Sequence, residues 1–172
     1  MCKVKHGREI YEKAAELLEY NPTKGEFRWK RSNGRRAIQG GLAGSRSTHG
    51  HRQIKIKGYL LIASRIAWFI ETGEVPCIID HINGDSSDDR ILNLRNCTQS
   101  QNSRNLKLSS LNSSGVTGVV KRPNGKWRAR ITLNRSRIEL GTFTNLEDAK
   151  QARIEAEKKY FGEFAPQRLT EA

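Results

Sequence analysis

Residues 78–105 read IIDHINGDSSDDRILNLRNCTQSQNSRN. An apolar run, Ile78-Ile79, delivers Asp80 and His81 side by side and then breaks at Asn83-Gly84, a strong turn dipeptide. Residues 88–95, DDRILNLR, return as a second short segment, and Thr98 has the character of an N-cap for a helix holding Gln101, Asn102 and Asn105. The predicted order is strand, loop, strand, helix. Asp80 is a hard anionic oxygen donor of the kind Mg²⁺ takes, and His81 can accept a proton near neutral pH. Neighbours on a regular strand point to opposite faces, so a bend near Asn83-Gly84 is expected to bring both to one site. Asp80, Asp85, Asp88 and Asp89 crowd into residues 80–89 of a basic chain. That local reversal of charge suggests a cation site or a set of turns, and Asp85, Asp88 and Asp89 are read as loop formers.

Upstream, residues 8–20 (REIYEKAAELLEY) predict an amphipathic helix with Ile10, Ala14, Leu17 and Leu18 on one face, ended by Asn21-Pro22. Residues 26–30 (EFRWK) alternate like a strand, and 31–50 form a basic, Gly-rich loop with a short strand. Residues 51–57 (HRQIKIK) alternate strictly, with Ile54 and Ile56 inward. Residues 59–72 predict a strand end running into a buried helix, capped by Gly73. His49 and His51 are expected at the surface or on phosphate. Downstream, the serine-rich stretch 106–114 is the expected linker. Residues 115–143 then predict three strands with turns at Pro123-Asn124-Gly125 and Asn134-Arg135-Ser136. A helix is expected from about Leu146 to Phe161, capped by Asn145.

Lys and Arg outnumber Asp and Glu by 31 to 18, for a formal net charge of +13. Residues 1–110 carry 19 basic and 11 acidic side chains, and residues 111–172 carry 12 and 7, so both parts are basic. Such a balance points to a polyanionic partner, because each phosphate contact releases counterions. The three cysteines, Cys2, Cys77 and Cys97, form no CxxC, which argues against a zinc ribbon. Cys77 and Cys97 are read as buried thiols in a reducing, cytoplasmic compartment, the host's if the chain is phage-encoded. No apolar run reaches membrane-spanning length, since YLLIASRIAWFI contains Arg65, so no membrane partner is expected.

Asp80-His81-Ile82-Asn83-Gly84-Asp85, Arg90-Ile91-Leu92-Asn93-Leu94 and Gln101-Asn102-Ser103-Arg104-Asn105 together resemble the HNH nucleases, in particular the branch found in phage homing endonucleases. Asn21-Pro22-x-x-Gly25-x-Phe27-x-Trp29, and Arg65 through Pro76, extend the resemblance over roughly 20–105. It implies that Asp80 and Asn102 ligate one Mg²⁺ (or Mn²⁺), that His81 is the general base, and that Asn93 holds the long loop through backbone hydrogen bonds. Ser64 departs from the family, which often places a His there.

Residues 115–164 resemble the plant APETALA-type, ethylene-response-factor DNA-binding domain. The matching residues are Gly118-Val119, Arg122-Pro123-x-Gly125-Lys126-Trp127, Ile131, Leu140-Gly141-Thr142-Phe143 and Glu147-Asp148-Ala149. The resemblance implies that the sheet reads duplex DNA through Arg122, Lys126, Trp127, Arg128, Arg130 and Arg137. Trp127 is ambiguous, because its strand parity with Ala129 and Ile131 assigns it to the core. The expected fold is α+β. An N-terminal HNH ββα-metal nuclease domain over 1–108, with its core at about 76–106, precedes a small domain over 109–172 with a three-stranded antiparallel sheet plus a helix. The expected function is metal-dependent DNA cleavage by a monomer or weak dimer. The alternatives are a catalytically inactive, sequence-specific DNA-binding regulator and, more weakly, an RNA-associated basic protein.

Overall fold

The computed structural model describes residues 6–32, 34, 37–103, 108 and 112–166, and the chain divides into two compact units, Met1–Asn102 and Ser103–Ala172. Most of the serine-rich stretch expected as a linker lies outside the described residues, as does Asn105.

In the first unit, helix α1 spans Arg8–Leu17 and buries Tyr11, Ala14 and Leu17. It stops before Tyr20, where the helix was expected to run. Leu18 leaves the helical region (φ −118°, ψ 137°) and opens strand β1, Leu18–Asn21, which pairs antiparallel with β2, Glu26–Trp29. The register sets Leu18 opposite Trp29 and Tyr20 opposite Phe27, whose rings stack at 4.7 Å. These two apolar pairs outweigh another half-turn of helix. Asn21 closes the hairpin by accepting from the backbone N–H groups of Thr23 (3.1 Å) and Lys24 (3.0 Å).

Strands β3 (Ser45–Arg46), β4 (Arg52–Ile56) and β5 (Tyr59–Ile62) form an antiparallel sheet with Ile54 and Ile56 fully buried. Helix α2, Ala63–Thr72, follows and ends on Gly73 in the left-handed region (φ 73°). Ser64 is buried on this helix. Tyr11, Leu18, Phe27, Ile54, Ile66 and Leu94 belong to one core. Strand β6 (Ile78–His81), a 3₁₀ turn at Ile91–Asn93, strand β7 (Leu94–Cys97) and helix α3 (Gln99–Asn102) complete the unit in the predicted order. Cys97 is buried and free, whereas Cys77, read as a buried thiol, is half-buried and disulfide-bonded.

The second unit holds β8 (Val119–Lys121), β9 (Trp127–Leu133) and β10 (Ser136–Phe143) in the antiparallel order β10-β9-β8, followed by α4, Leu146–Phe161. Asn134 (φ 48°) and Arg135 (φ 68°) form the two-residue turn that suits a right-twisted hairpin. The Asn145 side chain caps α4 by accepting from the Asp148 N–H at 2.8 Å. Ala149, Ala156 and Phe161 are buried on the inner face of α4, and Ala152 and Tyr160 are half-buried. The same inner face carries a buried ion pair, Arg153 to Glu157 at 2.9 Å, and Arg153 also donates to the Arg130 carbonyl. Only glycine fits at 118 beside it, because a Cβ there would lie 2.4 Å from that carbonyl oxygen. No helix among the described residues is long and apolar enough to cross a membrane.

Candidate active site

Strands β6 and β7 pair in regular register, with Asp80 opposite Arg95 and His81 opposite Leu94. Both Asp80 and His81 are 6% exposed. Asp80 Oδ2 accepts from Arg95 Nε at 2.8 Å and from an Arg95 terminal nitrogen at 2.6 Å. The thiol of Cys97 lies beside this pair, and its pKa is pushed up to about 11 by burial and then by the Asp80 charge. Asn102 is half-buried at the end of α3, its N–H donating to the Thr98 carbonyl at 2.9 Å, and α3 packs against β6.

His81 has different partners. Its Nε2 lies 3.1 Å from Oδ1 of Asp89, a residue only 2% exposed. The His51 ring is 5.8 Å from the His81 ring, and burial together with His81 holds the His51 pKa below its ordinary value. The bend expected to swing Asp80 and His81 together is absent. The ladder continues past His81, with Ile82 N–H donating to the Asn93 carbonyl at 2.8 Å, and the chain turns only at Gly84 (φ 73°). Strand alternation therefore sends the two side chains to separate partners.

The loop between the strands is braced from within. Asn93, 8% exposed, accepts from the Asn83 N–H at 3.0 Å and donates to the Asp88 carbonyl at 2.8 Å, so one amide ties both ends of the loop. Asp85 accepts from the Ser87 N–H, and the Asp88 carboxylate accepts from Arg90 and from the Asn83 amide. These contacts hold both carboxyl groups below their ordinary range, chiefly the Ser87 backbone for Asp85 and Arg90 for Asp88. Asp85 and Asp88 are thus loop formers. Asp89 is not one, because its carboxylate is buried against His81.

Asp89 and His51 are the site residues that sequence reasoning missed. Nothing local distinguishes Asp89 from Asp88. Its environment comes from the β1–β2 hairpin, where Tyr20 donates to the Asp89 carbonyl at 2.6 Å. Gly25 (φ 68°) approaches the same segment so closely that a Cβ would sit 2.7 Å from the backbone of Asp89 and Arg90.

The donors assigned to a metal by sequence, Asp80 and Asn102, offer the hard oxygens that Mg²⁺ or Mn²⁺ prefers. The buried Asp80 carboxylate already bonds Arg95 through Oδ2, so a cation there would have to share the carboxylate with the guanidinium or displace it. One carboxylate and one amide fit a cation that completes its shell with water and phosphate. No group of three or more His, Cys, Asp or Glu suited to a metal occurs among the described residues.

In the second unit, Arg128 and Arg130 alternate away from the α4 side of β9, with Arg137 on the neighbouring strand beside Thr132. Glu139, opposite Arg130, tempers the charge of that face. Arg122 and Lys126 are exposed at the β8–β9 turn. Trp127 sits apart from this set, half-buried against the Val116, Val119, Ala129 and Ala149 cluster, with Lys121 over its ring at 5.7 Å. Its strand parity with Ala129 and Ile131 sets its position.

Residues 62–104 match the HNH endonuclease family model, a quarter of the chain that contains Asp80, His81, Asp89, Asn93, Arg95 and Asn102. The match supports a nuclease acting on nucleic acid, and it ends before the three-stranded sheet of the second unit. No curated protein and no solved structure matches the chain.

Proposed function

We propose that the chain is a DNA endonuclease of the phage homing type, in which the first unit hydrolyses phosphodiester bonds and the second holds the duplex. One observation carries this reading: the HNH endonuclease match spans the β6–β7–α3 segment that carries Asp80, His81 and Asn102, with Asp80 and His81 both buried. Oxygens of Asp80 and Asn102 would hold one divalent cation, which when bound offsets the charge developing on the phosphate and leaving oxygen. His81 takes a proton from the attacking water as the water oxygen bonds to phosphorus and the bond to the leaving sugar oxygen breaks. Asn93 keeps the loop closed over this end of the strand. The test is plasmid nicking with and without Mg²⁺. His81→Ala is expected to cut about 10²-fold more slowly or worse while binding DNA as before. Nicking by that variant at the wild-type rate removes His81 from the mechanism.

A second reading, a DNA-binding regulator without cleavage, is favoured by one observation: Arg95 already occupies Asp80 Oδ2. It predicts metal-independent DNA binding and no nicking at any Mg²⁺ or Mn²⁺ concentration. In both readings the basic face with Arg128, Arg130 and Arg137, flanked by Arg122 and Lys126, meets the phosphates of double-stranded DNA. The outer location of these arginines supports this, as does the resemblance of residues 115–164 to the APETALA-type domain.

A further inference from the structure

We infer that Asp89 is a positioning residue for the general base: it fixes the tautomer and orientation of the His81 imidazole. The inference rests on the nuclease reading and goes beyond it. Asp89 contrasts with its neighbours, because Asp85 and Asp88 place carboxylates in partly open turns and satisfy them with loop donors. The Asp89 carboxylate is 2% exposed and meets one hydrogen-bond partner among the described residues, Nε2 of His81. Its Oδ2 is buried with no partner among them. A buried carboxylate left half-satisfied is a net cost to folding, so loop stability alone does not account for it.

The chemistry of the contact is directional. An ionised carboxylate only accepts hydrogen bonds, so Nε2 must donate. The imidazole is then held with its proton on Nε2 and its lone pair on Nδ1, which makes Nδ1 the nitrogen that acts as the base. When Nδ1 takes the proton from water, the resulting imidazolium faces a carboxylate 3.1 Å away. The anchor is itself held. Tyr20 bonds the Asp89 carbonyl, Gly25 packs on its backbone, and Ile91 N–H donates to the Pro22 carbonyl at 3.2 Å. The β1–β2 hairpin therefore serves the site at one remove, by fixing the residue that fixes His81.

The experiment uses the full chain with ¹⁵N-labelled histidine. In the wild type the His81 signals should show Nε2 protonated and Nδ1 unprotonated at neutral pH. Asp89→Ala should shift His81 to a tautomer mixture and lower kcat for nicking at least tenfold, with KM for DNA within about twofold. The isosteric Asp89→Asn retains an oxygen that can accept from Nε2, so it should restore the tautomer and part of the rate. It also keeps the test open if the alanine variant does not fold. In a His81→Ala background, Asp89→Ala should cause no further loss of rate, since positioning acts only through the imidazole. An unchanged His81 tautomer in Asp89→Ala overturns the inference, as do multiplicative rate losses in the double variant. If the wild type fails to nick, the nuclease reading falls, and the tautomer measurement still decides whether Asp89 sets His81.

Discussion

Replacing Asp80 by Asn tests the site most directly, and the Arg95 contact changes what the substitution should do. The Arg95 side chain is 11% exposed and that of Asp80 is 7% exposed, so both charges are largely desolvated. Removing the carboxylate strips a buried guanidinium of its counter-charge, a defect worth about 3–5 kcal/mol. Asparagine retains one oxygen to accept a neutral hydrogen bond, which places the expected loss near the lower figure, about 3 kcal/mol. For a unit of this size each kcal/mol moves the melting temperature by roughly 4–8 °C, so Asp80→Asn should melt at least about 12 °C below wild type. Loss of cleavage in that variant would therefore confound chemistry with unfolding. The double variant Asp80→Asn/Arg95→Met removes both charges and should regain part of the stability, because no buried charge loses its counter-charge, although the new amide loses its Arg95 donor. It should still fail to cleave at millimolar Mg²⁺. The assays are thermal unfolding by circular dichroism and a Mg²⁺ titration of nicking rate for all three proteins. A single variant melting within about 3 °C of wild type refutes the ion-pair argument. A double variant that cuts at the wild-type rate refutes Asp80 as a ligand.

Three further outcomes follow from the geometry. Burial and the nearby His81 hold the His51 pKa below its ordinary value of 6.5, so the unfolded chain binds the proton more tightly than the folded one. His51 therefore contributes stability that is present above about pH 6.5 and lost as pH falls through its folded value. His51→Gln should flatten the melting-temperature profile between about pH 7 and pH 5, and an unchanged profile counts against this placement. On the second unit, Arg128→Ala and Arg130→Ala should each weaken DNA binding and lower the slope of log affinity against log salt by about one. Trp127→Phe, which keeps an aromatic ring in the Val116 cluster, should leave the affinity within about twofold. A Trp127 effect larger than either arginine effect would place the indole on DNA.

The strand–loop–strand–helix run, with Asp80, His81, Asn93 and Asn102 along it, was legible in the sequence because its signals are local. Alternating apolar residues, the Asn83-Gly84 break and the Thr98 cap each act within a few residues of where they stand. The same holds for β8–β10 and for α4 with its Asn145 cap. The tertiary structure alone decided the rest. Leu18 and Tyr20 leave the helix because Phe27 and Trp29 wait across a hairpin. Arg95 lies on Asp80 because antiparallel register sets them opposite one another. Arg153, which no local pattern distinguishes from the other charged residues of its helix, turns inward to Glu157 and the Arg130 carbonyl. Asp89, one of two adjacent aspartates in a polar loop, becomes the buried partner of His81 because a hairpin some seventy residues earlier in the chain, through Tyr20, closes over it. Short-range pattern reports what the backbone does at a residue. Whether a charged side chain loses its water, and which partner replaces that water, depends on segments distant in sequence, and only their packing determines it.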